Sequence, residues 1–164
     1  MLKKCCALVL CVLLAAAPLA FAESVPSDQF FLRAKDALEL LAKGKEKDAL
    51  EKLAFVYALP EDSDELFLEF VKEYLPELDK KTVQREVAVC YWEAVSEKWL
   101  LAVPISEPKD DDVMALVLLS DDFETFTGYA ALSWAEVNEG TANSEWVWWN
   151  VEYDPGALAL YADW

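Results

Sequence analysis

Residues 144–154 read SEWVWWNVEYD and carry tryptophan at positions 146, 148 and 149. In an extended chain, successive side chains point to opposite sides. Val147, Trp149, Val151 and Tyr153 then share one face, apolar enough to be a core face. Trp146, Trp148, Asn150 and Glu152 share the other, which runs from aromatic to polar and reads as half exposed. Trp149 is therefore expected to pack. Trp146 and Trp148 are candidates for a surface shelf, with Asn150 placed to hydrogen-bond a ligand lying on it. Such rings suit a sugar or an apolar side chain of a protein, because a rigid indole covers much area. The opposing reading makes this face filler as well, packed on a helix or on rings of another strand, as most aromatic strand residues are.

Outward from this segment, the chain changes character near Arg85, and every tryptophan lies at or beyond Trp92. EVAVCYWEAV (86–95) is rich in β-formers and apolar on both faces, as a central strand should be. Ser96-Glu97-Lys98 is a turn, WLLAVPI (99–105) returns, and VMALVLLS (113–120) makes a third strand after a polar loop containing Lys109-Asp110-Asp111-Asp112. For residues 121–139, Asp121 with Glu124 fits a capping box, and Phe123, Phe126, Ala130, Trp134 and Val137 fall at helical steps. Thr125, Thr127, Gly128 and Tyr129 favour extended chain, so the expectation is a strand over 126–137 and a loop from Asn138 to Asn143. Asp154-Pro155-Gly156 then turns the chain into ALALY.

The first half reads helical. Ser27 caps a helix from Asp28, with Phe31, Ala34, Leu38 and Leu41 on one face and Gly44 at its stop. A second helix is expected from Lys45 to Ala58, with Ala49, Leu50, Leu53, Val56 and Tyr57 inward and Pro60 ending it. Asp62 or Ser63 caps a third, striped by Phe67, Phe70, Val71 and Tyr74 and closed by Pro76. Within this half, LAKGKEKDALEKLAFVYALPED resembles the second part of a tetratricopeptide repeat over residues 28–60, with Gly44 at the turn, Ala49 at the small position and Pro60 near the repeat's end. Arg33 stands where that family has a large aromatic and Asp36 where it has leucine, and no second copy follows. The resemblance implies a local helical hairpin and carries over no peptide-groove residues.

Helices followed by strands imply an α+β fold, with about three N-terminal helices on one face of a four- to six-stranded antiparallel sheet. A cystatin-like or NTF2-like wrapped sheet is the fold-level analogy. Residues 23–164 are read as one domain, helical over 27–80 and sheet over 85–164.

The opening MLKKCCALVLCVLLAAAPLAFA has the form of a secretory signal peptide, with Lys3 and Lys4, an apolar run and the Ala20-Phe21-Ala22 cleavage pattern. The apolar run falls short of the roughly 20 residues that span a bilayer. Cleavage after Ala22 leaves Cys90 as the last of the four cysteines, a position whose apolar neighbours suggest a buried, inert thiol. It also leaves no transmembrane segment, and the expected location is periplasmic or secreted, in a bacterial envelope. The whole chain carries 14 basic and 31 acidic residues, and beyond residue 86 only Lys98 and Lys109 are basic. Such a surface repels nucleic acid and anionic membranes.

The chain contains no histidine, which removes the usual triads, most zinc sites and the commonest general base. Its four glycines are scattered singly, so no phosphate-cradling loop is formed. Asp110 to Asp112 and Asp121, Asp122 and Glu124 are the carboxylate clusters that bear on calcium, and they read as solvated loop acids. The resulting expectation is a non-catalytic acidic protein without cofactor or metal. It would bind a protein partner, a basic toxin or lysozyme-like enzyme, through its Trp-rich sheet half. The alternative is a binding module for glycans or small amphiphiles in a curved-sheet pocket.

Overall fold

The computed structural model describes residues 25–57, 63–76, 78, 87–105 and 113–151. The proposed signal segment, the Lys109–Asp112 run, Glu152, Tyr153 and the turn at 154–156 lie outside them. The elements are α1 (Asp28–Ala42), α2 (Glu46–Leu53), α3 (Asp64–Tyr74), β1 (Val87–Glu93), β2 (Lys98–Pro104), β3 (Met114–Ser120), β4 (Gly128–Ser133), α4 (Trp134–Asn143) and β5 (Val147–Val151). The five strands form one sheet in the order β4-β3-β2-β1-β5, and every neighbouring pair is antiparallel. The fold is α+β.

The local signals at α1 act as expected. The Ser27 hydroxyl accepts from the Phe30 amide at 3.3 Å, and Phe30, Phe31, Ala34, Ala37, Leu38 and Leu41 are buried. Gly44 takes φ +69°, the left-handed stop that glycine adopts without strain. α2 is shorter than its apolar spacing suggests. It ends at Leu53 because Ala54 turns left-handed, φ 48°. The turn sends Phe55 inward, where its ring meets Phe67 at 5.0 Å, Tyr129 at 5.8 Å and Phe126 at 6.4 Å. Val56 faces out instead of in. Its amide donates to the Phe126 carbonyl at 2.8 Å, a bond that a continuing helix would forbid. α3 is capped by Ser63, whose hydroxyl accepts from the Leu66 amide. Phe67 and Val71 are buried, while Tyr74 is exposed.

Both faces of the sheet are apolar, and each has its own cover. Ala88, Cys90, Leu101, Val103, Leu116 and Leu118 pack with residues of α1, α2 and α3. Val87, Val89, Tyr91, Ala102, Ala115 and Val117 pack on the opposite side with Trp134 and Val137 of α4. This fourth helix corrects the expectation of a strand to residue 137 and a loop beyond it. The strand stops at Ser133, where a capping box forms: Ser133 Oγ accepts from the Glu136 amide at 3.3 Å and Glu136 Oε2 accepts from the Ser133 amide at 2.8 Å. The cap belongs to Ser133 and Glu136 rather than Asp121 and Glu124, and it starts the helix where Trp134 and Val137 reach the sheet. α4 lies so close that a Cβ on Gly140 would stand 2.7 Å from the Tyr91 ring.

Candidate functional site: the aromatic end of the sheet

β5 pairs with β1 in the register Cys90↔Trp148 and Val89↔Trp149. Cys90 belongs to the face under the first three helices and Val89 to the face under α4, so the pleat sends the two adjacent indoles to opposite layers. Trp149 packs at the α4 side and Trp148 at the side of the first three helices. The face holding Trp146, Trp148 and Asn150 is half exposed, as its mixed composition suggested. Exposure grades along the strand: Trp148 and Asn150 are half-buried, and Trp146 is 53% exposed.

A hydroxyl fixes where β5 begins. Ser144 Oγ lies 3.2 Å from the amide and 2.8 Å from the carbonyl oxygen of Trp92, and 3.2 Å and 2.9 Å from those of Trp146. The Trp92 amide also donates to the Trp146 carbonyl at 3.1 Å. The start of β5 is thereby held beside the end of β1.

At this end of the sheet the rings form a connected group. Trp92 meets Trp99 at 4.9 Å, Trp99 meets Trp148 at 5.0 Å, and Trp148 lies nearly parallel to Trp146, 16° between planes and 6.3 Å between centroids. Phe123 touches Trp99 at 4.6 Å and Trp148 at 5.7 Å, and it also meets Phe30 of α1 at 5.8 Å. Through Phe126 and Phe55 the chain of rings continues to Phe67, Tyr129, Phe70 and Tyr74. Trp146 is its exposed terminus at one end and Tyr74 at the other.

Phe123 reaches this position in a backbone conformation unusual for a bulky residue, φ 60°. The surrounding turn holds it there. Ser120 Oγ accepts from the Phe123 amide at 3.0 Å, and Asp122 Oδ1 accepts from the Glu124 and Thr125 amides at 2.8 Å each. Burial raises the Asp122 pKa, but these amides and the Thr125 hydroxyl outweigh it and hold the carboxyl below its ordinary value. Asp122 is thus engaged by the turn it organises. Among the described residues, no three His, Cys, Asp or Glu side chains converge as a bound metal would need.

Two polar features border the aromatic group. Lys35 of α1, fully buried, donates to Asn150 Oδ1 at 2.7 Å, while Asn150 Nδ2 donates to Asp28 at 3.4 Å. Asn150, expected to meet a ligand, ties β5 to α1. A cleft of about 300 Å³ is lined by Phe30, Arg33, Asp36, Lys52, Phe123 and Glu124, among others. Arg33 lies 4.6 Å over the Phe126 ring and donates to the Glu124 carbonyl at 2.5 Å, and burial lowers its pKa. Lys52 is paired with Asp36 at 3.1 Å.

Sequence reading named Trp146, Trp148 and Asn150 from one strand and missed their partners Trp92, Trp99 and Phe123. Trp92 and Trp99 face each other because the turn occupies 94–97 and pairs Glu93 with Lys98, whereas the expected turn at 96–98 sets Trp92 against Ala102. Phe123 depends on a left-handed turn residue, for which the sequence gives no local signal. Neither the family models, nor the curated proteins, nor the solved structures compared with this chain give a match. Among the described residues, no helix is long and apolar enough to cross a membrane.

Proposed function

We propose that this chain is a non-catalytic acidic interaction protein exported to the bacterial envelope, and that it binds a basic protein, of toxin or lysozyme-like type, at the aromatic end of its sheet. The observation that carries this reading is Trp146, 53% exposed at the end of a group of packed rings. A tryptophan already backed by fixed neighbours loses little freedom on binding, which favours affinity. Glu145 precedes it in the chain, and Asp121, Asp122 and Glu124 flank the Phe123 that touches Trp148. Lys98 is matched there by Asp121 at 2.5 Å. Electrostatic attraction speeds the encounter with a cationic partner, and the desolvated rings hold the complex.

Calorimetric titration with a basic lysozyme and with other cationic proteins, in low and in high salt, tests the proposal. Binding at low salt that weakens steeply with added salt and falls about ten-fold or more in Trp146→Ala supports it. Absence of binding to every cationic protein at low salt contradicts it. The nearly parallel Trp146 and Trp148 rings also support the alternative of a glycan or small amphiphile, since a sugar ring can lie on such a surface. Indole fluorescence titrated with peptidoglycan fragments separates the two, because the glycan reading requires a saturable change and the protein reading requires none.

A further inference from the structure

We infer that Trp146, backed by Trp148, is a stacking site for one arginine guanidinium of the basic partner. The inference rests on the function proposed above and names the chemical group that the site takes. Tryptophan is the strongest aromatic partner for a cation, and a cation over its face is attracted by the ring quadrupole. A guanidinium is flat and weakly hydrated, so it stacks on an indole and gives up little solvation. An ammonium is compact and strongly hydrated and gives up more. The geometry provides a flat, held surface. Trp146 lies 16° from parallel to Trp148, which is itself braced by Trp99 at 5.0 Å and Phe123 at 5.7 Å.

The charge around the ring fits the same occupant. Glu145 is exposed next to Trp146, and the turn that positions Phe123 adds Asp121, Asp122 and Glu124. Of the cations at this end, Lys98 is bound by Asp121 and Arg33 is turned to the Glu124 carbonyl and the Phe126 ring. Asp121 and Asp122 are engaged by Lys98 and by their own turn, so the exposed Glu145 beside the ring is the carboxylate that meets an incoming positive group. The 6.3 Å between the Trp146 and Trp148 centroids is less than the roughly 7 Å that a flat group between two rings would need at about 3.5 Å from each. The guanidinium therefore stacks on the open surface of Trp146 rather than between the two indoles.

The test uses the full chain and three peptides, hexa-arginine, hexa-lysine and the neutral hexa-citrulline, followed by intrinsic indole fluorescence at low salt. Hexa-arginine should bind roughly ten-fold more tightly than hexa-lysine, and hexa-citrulline should not bind measurably. Trp146→Ala should remove the preference for arginine and leave a weaker, salt-sensitive binding of both cationic peptides. Glu145→Gln should weaken both cationic peptides and keep the preference. Equal binding of the two cationic peptides by the native chain overturns the inference, as does a preference that survives Trp146→Ala. The function proposed above fails separately: if no cationic protein binds while the arginine preference persists, the stacking site stands and the protein-partner reading falls. An unchanged thermal midpoint for Trp146→Ala shows that the variant is folded.

Discussion

On the side of the sheet that faces α4, Val89, Tyr91, Ala102 and Val117 meet a helix fixed by a capping box at Ser133 and by contact of Gly140 with the Tyr91 ring. On the other side, the first three helices pack on the sheet, but at its tryptophan end the ring partners of Trp92, Trp99, Trp146 and Trp148 among the described residues are one another and Phe123. The first side is closed by close backbone approach. The second is closed by side chains, and among the described residues its ring series ends at the exposed Trp146. Richness in tryptophan therefore does not by itself mark a binding surface. Trp134 is 3% exposed and belongs to the closed side, while Trp146 is 53% exposed and holds no comparable place in the core.

The strongest perturbation of the contrast is removal of a ring from the covered part of the second side. Phe126 is fully buried against Phe30, Phe55 and Arg33. Phe126→Ala is expected to lower stability by about 3–5 kcal/mol, measured by urea denaturation. Gly140→Val attacks the closed side. The added carbons meet the Tyr91 ring, and the overpacking should cost about 1–3 kcal/mol while leaving the affinity for a cationic partner unchanged. If affinity falls in proportion to stability, the two sides are not independent. Lys35→Met keeps the buried stem but leaves Asn150 Oδ1 without this donor, and a loss of about 1–2 kcal/mol is expected in the same assay.

The smallest effect is on pH dependence. The folded-state pKa of Asp122 lies below its ordinary value, so its contribution to stability is complete above the unfolded pKa of about 3.9 and is lost as pH falls through the folded one. Acidification below about pH 4 should loosen the turn at Phe123, and Asp122→Asn should remove that part of the acid sensitivity.

The helices α1 and α3 and the first three strands were legible because their signals are local: Ser27 and Ser63 as caps, Gly44 as a stop, and continuous apolar runs for β1 and β3. The alternation of β5 was legible for the same reason. The misread elements were those set by tertiary contact. α2 stops early because Phe55 is drawn into the aromatic layer, and residues 134–137 leave the strand because Ser133 and Glu136 cap a helix that the sheet's second face requires. The candidate site was half legible. Pleating identified which indoles separate, but the tie between Asn150 and α1 depends on Lys35, a charged residue in a helix whose burial no periodicity announces.

The contrast between the two sides is tested most directly by fluorine NMR of the 5-fluorotryptophan-labelled chain during titration with a basic protein. The Trp146 resonance should shift first and furthest, with Trp134 unmoved. A Trp146 resonance that stays in place as the partner saturates, or a Trp134 shift of equal size, would contradict the assignment of the open aromatic end as the contact surface.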